Sequence, residues 1–148
     1  MISTEKLRYY SYFAGVDNES LKAVAEIADE KTLHAVTVLF KEGDPADALY
    51  IVTSGQVDVS LQLGSGREVI VDQLVPGDLL GYSVFVEPHR MRAKATARKE
   101  CTVIAIDAEK IRALCEKDTK LGFLLVKQVA AALAHRLSGA VTQIAAAE

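Results

Sequence analysis

The sequence predicts an α+β chain that is mainly β: a double-stranded β-helix, or jelly-roll-like β-roll, flanked by N-terminal helices and a long C-terminal helix. Three observations predict it. Apolar residues recur at intervals of three and four before residue 31 and after residue 106, and largely at intervals of two between them. The central stretch is interrupted every few residues by glycine, proline or aspartate, as short strands joined by tight turns require. From Asp118 to Glu148 there is no proline, and glycine occurs only at Gly122 and Gly139, which suits one long helix. A chain of 148 residues suits a single domain (1–148), with N-terminal helices over 1–30, the roll over 31–106 and C-terminal helices over 107–148.

Taken in order, Leu7, Tyr10, Phe13 and Val16 trace one helical face, and Leu21, Val24, Ala25 and Ala28 trace a second. Asp17-Asn18-Glu19-Ser20 between them carries short polar side chains that accept the free N–H groups of a first turn, so two short helices are expected. Leu33, Ala35 and Thr37 then alternate with their neighbours, and Val38-Leu39-Phe40 leads into the turn around Gly43-Asp44-Pro45. Leu49-Tyr50-Ile51-Val52 reads as a buried strand closed by Ser54-Gly55. Val57, Val59, Leu61 and Leu63 alternate with Asp58, Ser60 and Gln62, and Gly64-Ser65-Gly66 turns the chain back through Val69 to Leu74. Pro76-Gly77-Asp78 makes another turn, Gly81 closes the next strand, and two more strands fit Arg92–Ala97 and Cys101–Ile106. Asp107 is placed to cap a helix running to Cys115 or Glu116, and Asp118 starts the last one. Along that last helix Leu121, Leu125, Val129, Leu133, Val141 and Ile144 form an apolar stripe. A helix of some thirty residues spans about 45 Å, more than its own sheet needs for cover. The small residues Ala130, Ala131, Ala132 and Ala134 let another helix approach, so the helix is expected to cover the roll at one end and pair with a second copy at the other.

Composition narrows the function. Net charge is −3, with 17 Lys and Arg against 20 Asp and Glu, so no global charge favours DNA or a membrane surface. No stretch reaches the roughly 18 apolar residues of a membrane span, and Glu5, Lys6 and Arg8 break up any signal-like start, so a cytoplasmic location is expected. Cys101 and Cys115 form no CxxC pair and read as buried apolar thiols. A metal enzyme needs several ligands converging from neighbouring strands, and His34, His89 and His135 share no ligand spacing. No nucleophile motif is present either, and an enzyme is not expected.

The segment Phe40-x-x-Gly43-Asp44-x-Ala46-Asp47-x-Leu49-Tyr50-x-Val52-x-Ser54-Gly55-x-Val57, followed by Leu74-x-Pro76-Gly77-Asp78-x-x-Gly81, resembles the cyclic nucleotide-binding domain family, which includes catabolite-activator-type regulators and protein kinase A regulatory subunits. The order of elements is similar over nearly the whole chain. The resemblance implies that Gly81 to Ala93 forms a short helix whose backbone N–H groups face an anion, a cyclic phosphate in the family's binders. It also implies a glutamate after the glycine for the ribose and an arginine ten positions on for the phosphate; here those positions hold Tyr82 and Met91. The candidate ligand-binding residues are therefore Gly81, Tyr82, Ser83, Arg90, Arg92 and Ala93. In an undisturbed strand Arg90 and Arg92 share one face and Met91 takes the other, so an inward Met91 leaves both arginines in solvent. A local shift of one residue turns one guanidinium inward, toward a phosphate or carboxylate. The same comparison places Arg136-Leu137, with His135 and Ser138 alongside, where the long helix of relatives caps the base.

The expectation is a stand-alone ligand-sensing regulatory module with divergent or lost cyclic-nucleotide specificity, signalling through its C-terminal helix. No cofactor is firmly implied; a cyclic nucleotide or another small anionic ligand fits the cassette. A homodimer through the last helix and an unknown protein partner are expected, and DNA is not, because Thr142–Glu148 supplies no basic recognition helix. The ligand is expected to bias a hinge around Glu116–Lys120. A haem sensor using His89 or Cys101 is a rival that visible absorbance distinguishes. The alternative reading is a structural or protein-interaction module whose pocket is vestigial and filled by residues such as Tyr82 or Phe85.

Overall fold

Alternating apolar and polar residues give way to turn residues at short intervals after residue 27, and the chain folds there into strands that pair far across the sequence. The computed structural model describes residues 1–147. The strands are β1 (Ala28–Leu33), β2 (Val38–Phe40), β3 (Ala48–Ser54), β4 (Val57–Gln62), β5 (Glu68–Leu74), β6 (Leu79–Leu80), β7 (Lys94–Ala97) and β8 (Cys101–Asp107). They form two antiparallel sheets with orders β1-β8-β3-β6 and β2-β7-β4-β5. The central pair β3 and β8 is buried over Ala48–Val52 and Val103–Ile106, which is why both read as unbroken apolar runs. β4 and β5 carry Val57 and Leu74 into the core at one end, while Leu61, Leu63, Ile70 and Val71 are exposed at the other. The fold is thus the expected α+β roll with helices at both chain ends.

The helical ends differ in detail from the periodicity. Leu7, Tyr10, Phe13 and Val16 do not lie on one α-helix: α1 (Thr4–Arg8) stops, and a 3₁₀ turn over Ser11–Phe13 follows. A spacing of three fits a 3₁₀ turn as well as an α-helix, and Leu7 and Phe13 still reach the core fully buried. Asp17 accepts from the Ser20 backbone N–H at 2.8 Å and starts α2 (Asn18–Glu26). Ala28 opens β1 instead of ending that helix, and Ala35 and Thr37 lie beyond β1 in a turn where Val36 has φ 70°. Likewise Arg92 is not in a strand; β7 begins at Lys94.

At the other end Asp107 accepts from the Lys110 N–H and starts α3 (Ala108–Lys117). Asp118 separates α3 from α4 (Thr119–Ala146), a helix of 28 residues and so about 42 Å long. One Asp118 carboxylate oxygen accepts from the Leu121 N–H and the other from the Ser20 hydroxyl, so the break is tied back to α2. Leu121, Leu125 and Val129 are buried, against α3 and the 3₁₀ turn among others, each stabilising by about 1.5–3 kcal/mol. Val141 and Ile144 of the same stripe are 56% and 68% exposed, because α4 has by then run past the roll.

Two glycines separate a conformational need from a spatial one. Gly43 and Gly55 both have positive φ, but a Cβ at Gly43 meets open space, whereas at Gly55 it falls 2.4 Å from Cys101 Cβ. Gly43→Ala is therefore expected to cost about 1 kcal/mol from the left-handed backbone alone. Gly55→Ala is expected to cost about 3 kcal/mol or more, because overpacking adds to that strain; urea unfolding of both variants distinguishes the two. Burial, with Asp118 nearby, pushes the Cys115 thiol up to about 11. An ordinary thiol titrates near 9 on the same scale, so at pH 8 Cys115 should carry on the order of a hundredfold less thiolate and react with a disulfide reagent correspondingly slowly. Its rate should rise about tenfold per pH unit up to pH 10, a profile that stopped-flow thiol titration measures.

Candidate functional site

The segment that closes one side of the roll begins at Gly81, whose φ of 85° and lack of a side chain let the backbone lie against β3; a Cβ there would fall 2.7 Å from the Ala48 carbonyl oxygen. Gly81 caps a short 3₁₀ turn, Tyr82–Phe85, in which Ser83 and Val84 are buried. The Val84 N–H bonds the Gly81 carbonyl at 3.1 Å, while the N–H groups of Tyr82 and Ser83 precede the first intrahelical bond and are left open. From α3, Arg112 donates to the Val84 carbonyl at 3.0 Å, fixing the far end of the turn to the helix that leads into α4.

The chain then returns to the roll through backbone bonds rather than a strand. Ala46 N–H bonds the His89 carbonyl, Gly43 N–H bonds the Met91 carbonyl, and Met91 N–H bonds the Asp44 carbonyl, each at 2.8 Å. This lacing turns Met91 inward, where it is 3% exposed. Arg90 points away, its guanidinium 3.4 Å from the Gly43 carbonyl in an exposed contact.

A cavity of about 270 Å³ lies between this segment, the outer end of the β4–β5 hairpin and α4. Of the six candidate residues, Gly81, Tyr82, Ser83, Arg92 and Ala93 line it, and Arg90 does not. Met91 lines it too, and so does Arg92 beside it, because 90–93 is not an extended strand and the simple alternation of faces does not apply. Phe40, Val59, Leu61, Val71 and Leu80 supply the apolar walls. Tyr82 does not fill the space, and Phe85 lies outside it, in a cleft against α3 and α4.

Two lining residues come from outside the cassette. Arg136 of α4 donates through Nε to Asp72 at 3.1 Å and through a terminal nitrogen to the Leu79 carbonyl at 2.7 Å. The comparison of helices had placed Arg136 near this position; His135 beside it faces a separate cleft toward Gln143. Asp72 was not foreseen. The register of β4 with β5 shifts between Val59 and Ser60, so that Val59 faces Asp72 while Ser60 faces Ile70, leaving Val71 extra. That bulge delivers Val71 and Asp72 together to the cavity. The 3₁₀ turn before α2 braces the same region: Tyr12 donates to the Gly77 carbonyl at 2.7 Å, and burial with Asp78 nearby raises its hydroxyl pKa.

Charge in the cavity is sparse. Asp72 and Arg136 offset one another, and among the described residues Arg92 makes no ion pair. Ser83 is 2% exposed and lines the cavity. No group of three or more His, Cys, Asp or Glu among those residues is placed to hold a metal ion. No described helix is long and apolar enough to cross a membrane. The site therefore offers a small, mainly apolar chamber lined in part by Tyr82 and Ser83, with Arg92 exposed beside it and Arg136 paired to Asp72.

Comparison with known proteins places this geometry. A crystal structure of a chain from Geobacter metallireducens GS-15, named for cyclic nucleotide binding, superposes with a TM-score of 0.85 at 35% identity over 93% of this chain and 99% of that one. The regulatory domain of Toxoplasma gondii PKA, solved with cAMP, superposes with a TM-score of 0.67 at 29% identity over 75% of this chain and 42% of that one. A CRP-like cAMP-activated global transcriptional regulator of Mycobacterium tuberculosis is 27% identical over 100 residues, 68% of this chain and 45% of the regulator. The chain thus spans about half the length of the transcriptional regulators it matches. The family model of the cyclic nucleotide-binding domain covers residues 30–118, more than half the chain, from β1 to the α3–α4 break. With the two-sheet roll, the Gly81 turn and the long closing helix in place, the chain belongs to the cyclic nucleotide-binding domain family.

Proposed function

We propose that the protein is a ligand-sensing regulatory module in which a small anionic ligand, a cyclic nucleotide or another anion, occupies the cavity over Gly81–Ala93 and signals through α4. One observation carries the reading: the same cavity is lined by the 81–93 segment and by Arg136 of α4. A ligand there meets both the roll and the helix. It shifts the helix only so far as it binds one helix position better than another, and Arg136 supplies such a difference because its bonds to Asp72 and Leu79 exist only when α4 is docked. Asp118, without helical backbone between α3 and α4, is the point about which α4 turns. Relatives regulated by cAMP support the regulatory reading, and nothing in the lining suggests a catalytic centre.

The exposed side of α4 supports a homodimer. Phe123, Val126, Ala130, Leu133, Leu137, Ala140 and Ile144 follow one another at alternating intervals of three and four, the a/d spacing of a coiled coil. Phe123, Leu137 and Ile144 are each more than 60% exposed in the single chain. A second copy buries this seam.

Hydrogen exchange with cyclic AMP, cyclic GMP and a fluorescent arylsulfonate as separate probes tests the sensing mechanism. At least one probe should slow exchange both in 81–93 and in α4 around Arg136, and Arg136→Ala should abolish the second effect while keeping the first. Protection of 81–93 with α4 unchanged refutes signalling through the helix, and no protection by any probe leaves the scaffold reading. For the dimer, Leu137→Asp should raise the dimer dissociation constant at least tenfold in analytical ultracentrifugation with far-UV circular dichroism unchanged. A wild-type chain that sediments as a monomer refutes the dimer.

A further inference from the structure

Where the cavity keeps its polar groups points to what it holds. Its most buried lining side chains are Ser83, 2% exposed, and Leu80 and Met91, each 3% exposed, so the deep part of the lining carries one hydroxyl and is otherwise apolar. Charged groups stand at the edge: Arg92 is exposed, and Asp72 and Arg136 are 36% and 25% exposed in their side chains. Asp72 already holds Arg136, so one cation, Arg92, is uncompensated among the described residues.

We propose that the ligand of this cavity is a carboxylate on an apolar frame, aromatic or aliphatic, rather than a cyclic nucleotide. The apolar frame lies among Phe40, Leu80 and Met91, and the carboxylate meets the Arg92 guanidinium, whose planar fork matches two oxygens. The Ser83 hydroxyl accommodates one polar substituent. A sugar ring with several hydroxyls meets few acceptors here, because the only lining carboxylate, Asp72, is already paired with Arg136, and each hydroxyl left without a partner costs binding energy. The proposal rests on the reading of the cavity as a ligand site and narrows it to one chemical class.

The full-length chain and the fluorescent probe 8-anilinonaphthalene-1-sulfonate, an apolar frame with one anionic group, supply the test. The probe should bind and be displaced by phenylacetate or decanoate, with phenylacetamide and decanol at least tenfold weaker and cyclic AMP without effect. Arg92→Gln, at an exposed position that leaves the fold intact, should weaken the carboxylate about tenfold and leave the neutral competitors unchanged. Equal competition by acid and amide, or an Arg92→Gln variant indistinguishable from wild type, overturns the proposal. Displacement by cyclic AMP at micromolar concentration overturns it while upholding the receptor reading. Displacement by none of the competitors, with no calorimetric heat from cyclic AMP or cyclic GMP, overturns both.

Discussion

A side chain at position 81 would set its Cβ 2.7 Å from the carbonyl oxygen of Ala48, so the backbone there lies closer to β3 than any residue with a Cβ allows. The rest of the site follows from this approach. It fixes where the 3₁₀ turn Tyr82–Phe85 begins and buries Ser83 and Val84 under the roll. The return through His89–Met91 is then set by three backbone bonds to the turn at Gly43–Ala46, which choose Met91 for the inside and leave Arg92 at the edge. Backbone hydrogen bonds do not depend on side-chain identity, so the frame of the site holds while its lining changes chemistry.

The second constraint is the single residue between α3 and α4. Asp118 caps α4 with one carboxylate oxygen and receives the Ser20 hydroxyl with the other, so the N-terminal helices hold the break from outside the roll. Arg112 reaches from α3 to the Val84 carbonyl, so the cassette is also held from this side. A movement of the cassette is therefore a movement of an α3 contact, and the chain passes directly from α3 into the helix that roofs the cavity. The connection is short because the sequence separation is short.

Much of this architecture was legible in the sequence because turn residues carry local constraints. Of the glycines at 43, 55, 64, 66 and 77, where tight turns call for positive φ, all but Gly64 have it, because the turn at 64–66 needs the left-handed backbone only at Gly66. The apolar run 49–52 reads as a buried strand because no polar residue interrupts it, and it is buried; 103–106, expected only as part of a strand, is buried beside it. What escaped was set by pairing between distant segments. The break between α1 and the 3₁₀ turn is invisible to a spacing of three, which both conformations satisfy. The bulge that presents Asp72 depends on the partner strand's register, and nothing in Val69-Ile70-Val71-Asp72 alone reveals it. Arg90 and Arg92 could not be separated because the alternation rule assumes a strand, and the chain at 90–93 is instead laced to residues 43–46.

Asp72 changes how the roof works. A free arginine on α4 would attract any anion that entered, and affinity would rise without selecting a helix position. With Asp72 already bonded to its Nε and the Leu79 carbonyl to a terminal nitrogen, Arg136 gives up an existing contact for each new one. The gain to an entering anion would then be the difference between two charge-assisted bonds, which is small, and on the proposed reading the anion goes to Arg92, which has no ion-pair partner among the described residues. Arg136 docks α4 on the roll through its bonds to Asp72 and Leu79, and on the proposed reading an incoming frame against Leu61 and Val71, which line the same cavity, would strengthen or displace them by its shape. On the proposed reading, charge would be read at the edge of the roll and shape by the helix, so the response would follow the body of the ligand more than its head.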